Sequence, residues 1–394
     1  MYSPTVKTSH NKLDDSLLQS KLILNEYPLC DYCLGRLFAK KLGVSSNKLL
    51  GKKIKKRLHI KSSKKCFICK EILSNSDAMV SKMVEKSSDY KFSTFVVGLI
   101  SKPSMNDRDD LIRSKFKLQG IDSIKTAITK ELSKKFTKQT RKKADHLCPD
   151  LTFTYNLKDG SCDLQTKSLF LSGRYVKKIR GLPQKQTPCS NCHGKGCTQC
   201  NFHGFSKFSS VEGQIAKLLI KKFSGTQMKI SWLGGEDKNS LVLGNGRPFF
   251  VKLFHPMKRK TKLQKKYILD GIEIHNLKLI SKTPKQAIPF RSSIELSIIT
   301  EKNLTQKNLN PLKSLLKTPI MINEKPKRNE KSIYKIKFKK SSPNSFSLWI
   351  TVDGGLPIKR FVEGKDIHPN LKELLGTKCE CQQFDFHKID PRNS

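Results

Sequence analysis

The sequence predicts an α+β protein with two folded modules. The first is an N-terminal α/β module stapled by cysteines; the second is a C-terminal domain on a mixed or antiparallel sheet. Three observations carry this. Helical apolar spacing dominates the first 150 residues, and strand-length apolar or alternating runs dominate from about residue 228 onward. Between them, residues 183–207 are Pro, Gly, Cys and polar side chains with little that could form a core. A length of 394 residues suits two or three domains of roughly 100–200 residues.

Residues 1 to about 12 read as a loose tail. Residues 14–24 carry Leu17, Leu18, Leu22 and Ile23 at helical spacing. Cys30 and Cys33 follow, then a short apolar segment. Ser45 or Ser46 is placed to cap a very basic helix reaching about Leu58. After Cys66 and Cys69, residues 92–100 read as a buried strand, 103–110 as a polar linker or loop, and 111–146 as basic helix. Strands at 151–155 and 168–171 close this module. The expected limits are 1–175 for the N-terminal region, 176–207 for a four-cysteine connector and 208–394 for the C-terminal domain. Ser209 and Glu212 read as a capping box opening the next helix, whose apolar face is Val211, Ile215, Leu218 and Leu219. Strands are expected at 228–232, 240–243 and 249–253, with Asn245 and Gly246 as a tight turn between the last two. Residues 272–279, 293–299, 333–338 and 346–352 complete the strand-rich half.

Lys plus Arg number 77 against 33 Asp plus Glu, a balance of +44. A compact chain with about one excess positive charge per nine residues repels itself unless an anion shares the field. The charge therefore argues for a polyanionic partner, most simply nucleic acid, and against an isolated small-molecule enzyme. No apolar run approaches the ~18 residues a membrane span needs. The N-terminus has no apolar signal core, so a cytoplasmic location is expected. Twelve cysteines in that setting read as thiols or metal ligands rather than disulfides.

Cys189, Cys192, Cys197 and Cys200 form two Cys-x-x-Cys turns separated by four residues, spacing that can present four thiolates to one tetrahedral zinc. Cys30, Cys33, Cys66 and Cys69 form two more turns with 32 residues between them, as in a split zinc ribbon. One or two structural zinc ions are expected. The plainer readings are loop thiols for the first set and core cysteines for the second. No phosphate-binding Gly-x-x-x-x-Gly-Lys-Ser/Thr loop, dinucleotide fingerprint or His-Glu-x-x-His helix occurs, so a nucleotide cofactor and a catalytic metal have no support.

Glu236 and Asp237 stand on a glycine-rich loop between two strands of a strongly basic chain. Two acids in a turn are more often solvated surface. A carboxylate there could also face a flipped-out nucleotide. A nuclease would want further carboxylates converging on metal, and no second acidic cluster is evident.

Gly234, Glu236, Asp237, Leu243, Gly244, Gly246, Arg247, Pro248 and Phe249 follow a Gly-x-Glu-Asp … Leu-Gly-x-Gly-Arg-Pro-Phe pattern. This segment resembles the active-site region of the archaeal tRNA pseudouridine synthases of the "Pus ten" family. Residues 28–38 resemble that family's N-terminal cysteine knuckle. Residues 95–98 and 149–151 resemble its THUMP-containing RNA-binding region, and 173–177 with 180–184 the junction before the four cysteines. Gly354, Gly355, Ile358 and Lys359 resemble its C-terminal motif. The resemblance covers most of the chain. It implies a pseudouridine-synthase-like C-terminal domain and an isomerase that needs no cofactor for catalysis. Its substrates would be uridines 54 and 55 in the TΨC loop of tRNA. It makes Asp237 the nucleophile and Glu236 not. Arg247 would order the loop or hold phosphate, and Lys359 would contact RNA. Independently of the resemblance, the charge balance and the basic runs at 52–57 and 134–143, with Lys142 and Lys143, read as an electrostatic RNA grip rather than solvated faces. An aromatic should stack on the target base, yet the expected positions, near Glu301 and at Pro357, carry none. The rival reading, a non-catalytic zinc-ribbon RNA-binding protein, explains the charge and the cysteines but leaves the Gly-Glu-Asp loop without a purpose.

Overall fold

The computed structural model describes residues 7–61, 65–324 and 327–392. It divides into two compact units, Met1–Lys167 and Ser168–Ser394.

The first unit opens with α1 (Lys7–Glu26), α2 (Asp31–Ala39), α3 (Asn47–Arg57) and α4 (Ser76–Lys86). Residues 1–6 of the expected tail lie outside the described residues, and from Lys7 the chain is already helical. Ser46, not Ser45, caps α3, its hydroxyl accepting from the Leu49 N–H. Then come β1 (Thr94–Ile100), α5 (Pro103–Lys115), α6 (Ile124–Thr140), β2 (Lys143–Ala144), β3 (Leu151–Asn156) and β4 (Cys162–Thr166). The segment expected as a polar linker is thus a helix. Pro103 occupies its first turn, where a missing N–H costs nothing. The strands form one sheet in the order β2-β1-β3-β4, with β1 and β3 parallel. Phe95, Val97, Leu99, Phe136 and Phe153 pack its core. A fully buried ion pair, Arg36 with Asp109, ties α2 to α5. Asp109 also accepts from the Ile124 N–H at 2.9 Å, which brings in the start of α6.

The second unit begins earlier than expected. The expected limits put β5 (Leu169–Lys177) in the N-terminal module, but it pairs antiparallel with two later strands. After the cysteine segment come α7 (Val211–Phe223), β6 (Met228–Trp232), β7 (Val242–Leu253), β8 (Lys266–Ile268), β9 (Ile272–Ile280), β10 (Phe290–Thr300), β11 (Ile320–Glu324), β12 (Lys327–Lys331), β13 (Ile333–Ser342) and β14 (Ser345–Asp353). The chain ends through α8 (Ile358–Glu363), β15 (Ile367–His368), α9 (Leu371–Leu375) and β16 (Cys379–Pro391). One large sheet runs β13-β14-β10-β16-β7-β5-β9-β8, with β6 added beside β7. All its pairings are antiparallel except β16 with β7, which meet in parallel at Phe386 and Val242. The expected capping box does not form. Ser210 caps α7 through the Gly213 N–H, and Glu212 instead accepts from the Gln186 N–H of the cysteine segment at 2.9 Å.

The two strands expected at 240–243 and 249–253 are one continuous strand, β7, and Asn245 with Gly246 is no hairpin turn. Gly244 (φ 55°) and Gly246 (φ 74°) place left-handed backbone inside the strand. A side chain at Gly246 would sit 2.5 Å from the Tyr175 carbonyl, and one at Gly244 would sit 2.3 Å from that of His387. The glycines make a bulge in β7, which pairs with β5 as far as Arg247 and again at Val242, while on its other edge the partner changes from β6 to β16.

Candidate active site

The Gly-Glu-Asp loop joins β6 to β7, and its two acids part company. Glu236 turns inward and is fully buried. Its carboxylate lies 3.0 Å from Lys177 Nζ and 3.3 Å from Arg247 Nε, and it accepts from the Tyr175 hydroxyl at 2.7 Å. Two buried cations around one buried anion leave this cluster strongly dependent on its single carboxylate. Lys177 also donates to the carbonyls of Leu182 (3.0 Å), Asp237 (3.2 Å) and Lys238 (3.2 Å). Burial pushes the Tyr175 phenol well up, so it remains a donor. Gln184 donates to the Tyr175 oxygen at 2.9 Å and to the Gly234 carbonyl at 3.3 Å. Further along, Arg180 grips Asp385 through both carboxylate oxygens (2.7 and 2.6 Å) and donates to the Asn239 carbonyl at 2.5 Å. The segment from Tyr175 to Gln184 therefore clamps the loop over most of its length. The sequence marks this segment as a motif without giving it a role.

Asp237 turns outward into a pocket of about 440 Å³, within the size range of ligand sites. One oxygen accepts from the Asn239 N–H at 2.9 Å, and the other from Lys359 Nζ at 2.8 Å. Partial burial pushes its carboxyl up. Lys359, the Asn239 N–H and the more distant Lys177 outweigh that and hold it below the ordinary aspartate value. The same contact raises Lys359. Asp237 is thus an ionised, partly exposed carboxylate of fixed orientation.

Phe290, Phe384 and Phe386 supply aromatic surface to this pocket, and Pro357 and Ile358 also line it. Pro357 is where an aromatic was sought. The aromatic rings come instead from β10 and β16, which only the strand pairing could reveal. Glu301, the other expected position, lines a different surface. Arg247 is fully buried: its guanidinium stacks 4.4 Å from the Phe386 ring centre and donates to the Leu233 carbonyl at 2.7 Å. That geometry fits ordering the loop, and its burial does not fit holding an exposed phosphate. Lys142 and Lys143 lie in the first unit, outside this pocket. Lys142 Nζ sits 5.3 Å from the Phe92 ring centre, and Lys143 is exposed on β2.

Both cysteine sets come together. Within each, the four sulfurs lie within 4.8 Å of one another. Cys30 and Cys69 are 3.7 Å apart, and Cys200 is 3.8 Å from both Cys192 and Cys197. A tetrahedron with ~2.3 Å metal–sulfur bonds has edges of about 3.8 Å, so either set could hold one such ion. Backbone N–H groups already point at the sulfurs: Gly196 at Cys192 (3.2 Å) and Gly204 at Cys200 (3.3 Å). The Asn191 amide beside Cys197 brings that thiol down to about 6. The remaining cysteines, Cys148, Cys162, Cys379 and Cys381, join neither set.

A family model described as "Pus10, C-terminal" matches residues 170–390, and one described as "Pus10 THUMP domain, archaeal" matches residues 79–156. The chain is 52% identical to a protein of Nitrosopumilus maritimus named tRNA pseudouridine synthase Pus10, over 93% of this chain and 96% of that one. The chain belongs to the Pus10 family. It is 36% identical to the Pus10 of Cenarchaeum symbiosum, over 92% of this chain and 90% of the other. Against the Pus10 of Pyrococcus furiosus it is 27% identical, over 95% and 97%. Pus10 proteins are tRNA pseudouridine synthases, a class of isomerase. The THUMP match places that domain on the α4–β3 region of the first unit, and the C-terminal match covers the whole large sheet. Among the described residues no helix is long and apolar enough to cross a membrane.

Proposed function

We propose that this Pus10 protein isomerises uridines 54 and 55 in the TΨC loop of tRNA to pseudouridine, with Asp237 as the catalytic carboxylate. The observation that carries this reading is the orientation of Asp237. It is ionised, lysine-paired and set in an aromatic-walled pocket on a loop locked from behind by Glu236. The target nucleotide leaves its stack, at a cost of a few kcal/mol that is least in a loop. Its uracil lies against the phenylalanine wall. The Asp237 carboxylate then attacks or deprotonates the ribose, the glycosidic N–C bond breaks, and the freed base rotates. A new bond forms from carbon five of the base to the ribose as Asp237 is released, its ester bond breaking or the ribose proton returning. The carbon-five proton is then lost as N1 takes up one. Atoms and electrons balance within the nucleotide, so no cofactor is consumed. Lys359 keeps the carboxylate charged until the ribose displaces it.

The first unit, with Lys142 and Lys143, grips the tRNA by shape and backbone charge. Both cysteine sets hold structural zinc, and the protein works in the cytoplasm, where its thiols stay reduced. The test is pseudouridine formation on an unmodified tRNA transcript without added cofactor. Wild type should modify the loop, and Asp237→Asn should bind tRNA at least as tightly yet form no product in a single turnover. Near wild-type product from Asp237→Asn would overturn the mechanism. No product from wild type would favour a non-catalytic RNA-binding protein.

A further inference from the structure

Strand β10 carries two consecutive residues that serve opposite faces of the sheet. Phe290 lines the Asp237 pocket, and Arg291 points the other way, as the two-residue period of a strand requires. On that second face, Arg291, Lys335, Lys388 and Arg392 surround a cavity of about 510 Å³, with Ser293 and Thr351 on its floor and Asp390 and Pro391 at its edge. It lies over the ends of β10, β13, β14 and β16, and its residues are register neighbours. Lys335 faces Thr351, and Ser293 faces both Thr351 and Lys388.

The arrangement is more organised than a solvated lysine face. The Arg291 guanidinium stacks 3.7 Å from the centre of the Tyr334 ring, which fixes its plane. Arg392 approaches the same ring, at 5.4 Å, and donates to the Tyr334 hydroxyl. The Tyr334 hydroxyl in turn donates to Asp353 at 3.0 Å, and Asp353 pairs with Arg392. Asp390 pairs with Lys388 at 2.9 Å. The two carboxylates are thus taken up by Arg392 and Lys388. Among the described residues Arg291 and Lys335 pair with none. A planar guanidinium held flat against a ring presents its N–H edge in one direction, the geometry that suits a phosphate.

We propose that this second pocket binds a backbone phosphodiester of the substrate RNA, on the strand that continues from the nucleotide held beside Asp237. The ligand class follows from charge and position. The site sets four cations against two acids, Asp353 and Asp390, which are the register neighbours of Arg291 and are engaged by Arg392 and Lys388; two positive charges remain in excess, with Arg291 held flat on Tyr334 and two hydroxyls beside it. It lies one residue along β10 from the aromatic wall of the catalytic pocket. A strand rounding the end of the sheet would place a base on the Phe290 side and a phosphate on the Arg291 side. This would orient the flipped nucleotide without touching the reacting atoms. The inference rests on the reading of Asp237 as the catalytic carboxylate.

The test uses the full chain and an unmodified tRNA transcript. Arg291→Gln with Lys335→Gln is compared with Lys217→Gln and Lys221→Gln, an equal charge change on the exposed face of α7. The site pair should weaken tRNA binding about tenfold and raise KM similarly, with kcat at saturating tRNA unchanged. The slope of log affinity against log salt should flatten by about 0.7 for each phosphate that is no longer neutralised. The α7 pair should change none of these by more than about twofold. Arg291→Lys keeps charge but not the planar fork, and should fall between. Lys335→Gln alone leaves the Tyr334 stack intact and should still weaken binding if the pair unfolds. Equal effects of the site and α7 pairs would overturn the proposal, as would an unchanged affinity. Absence of product from wild type would instead count against Asp237, and the binding comparison would still judge this pocket.

Discussion

Lys359 Nζ lies 2.8 Å from an Asp237 carboxylate oxygen, joining residues 122 positions apart across the Asp237 pocket. Without it, partial burial would push the Asp237 carboxyl up. With it, and with the Asn239 N–H, the folded-state value lies below the ordinary ~3.9. A carboxyl depressed on folding contributes stability that is present above the unfolded value and is lost as pH falls through the folded one. Asp237 is therefore ionised throughout the neutral range, and the rate should be level from pH 8 down to the acid region. Lys359→Ala should lower the single-turnover rate and move its acid limb to higher pH. An acid limb that stays in place would show that the lysine does not hold the proton equilibrium.

Glu236→Gln should do more than loosen the loop. It leaves Lys177 and Arg247, both fully buried, without their shared anion. Removing one partner of a buried ion pair costs about 3–5 kcal/mol. Urea unfolding of the C-terminal unit should shift by about that much, and the single-turnover rate should fall with it. Tyr175→Phe removes only one hydrogen bond to the same carboxylate and should cost about 1–2 kcal/mol. If Glu236→Gln is as stable as wild type, the buried cluster does not anchor the loop.

The acidic loop and the two cysteine sets were legible because their pattern is local. Two acids on a glycine loop and pairs of Cys-x-x-Cys are visible within a few residues. The clamp behind the loop was not legible, because it arises from a pairing between β5 and β7 that local pattern assigns to different modules. One signal was available. Leu171, Gly173, Tyr175 and Lys177 alternate onto one face of β5, and a lysine on that otherwise apolar face demands a buried anion. Helix α5 was missed because its first half is polar and begins with proline, which also describes a loop. The phenylalanine wall is assembled from β10 and β16, strands that meet only through sheet order.

Elemental analysis of the purified chain should give two zinc ions, one per cysteine set. Structural zinc contributes roughly 10–16 kcal/mol in small peptides, and residues 183–207 have little apolar material to replace it. Cys197→Ser should lower the count to one and release the segment that Gln227 tethers through the Lys195 carbonyl. Cys66→Ser should also lower the count to one, with the damage confined to the N-terminal unit. Thiolate ligands must lose protons to bind, so zinc should dissociate more readily as pH falls. A folded protein without zinc would refute both sites.

Gly354→Ala tests the shape of the Asp237 pocket by packing alone. Gly354 follows β14, and its N–H donates to the Phe290 carbonyl at 2.8 Å. A methyl there would lie 2.3–2.4 Å from three carbons of the Phe290 ring. The same end of the Phe290 ring also lies against Gly234, where a Cβ would stand 2.5 Å from it. Both glycines crowd the tip of the ring, so an alanine at 354 must shift the ring or force the strand end open. Overpacking of this kind costs about 1–3 kcal/mol, and unfolding should show that loss. Single-turnover pseudouridine formation should fall about tenfold or more, since the base must enter beside the displaced ring. Affinity for tRNA, set largely by charge elsewhere, should change little. Phe290→Leu in the Gly354→Ala background removes the ring that clashes and should restore stability. If Gly354→Ala alone leaves rate and stability unchanged, Phe290 does not form the pocket wall.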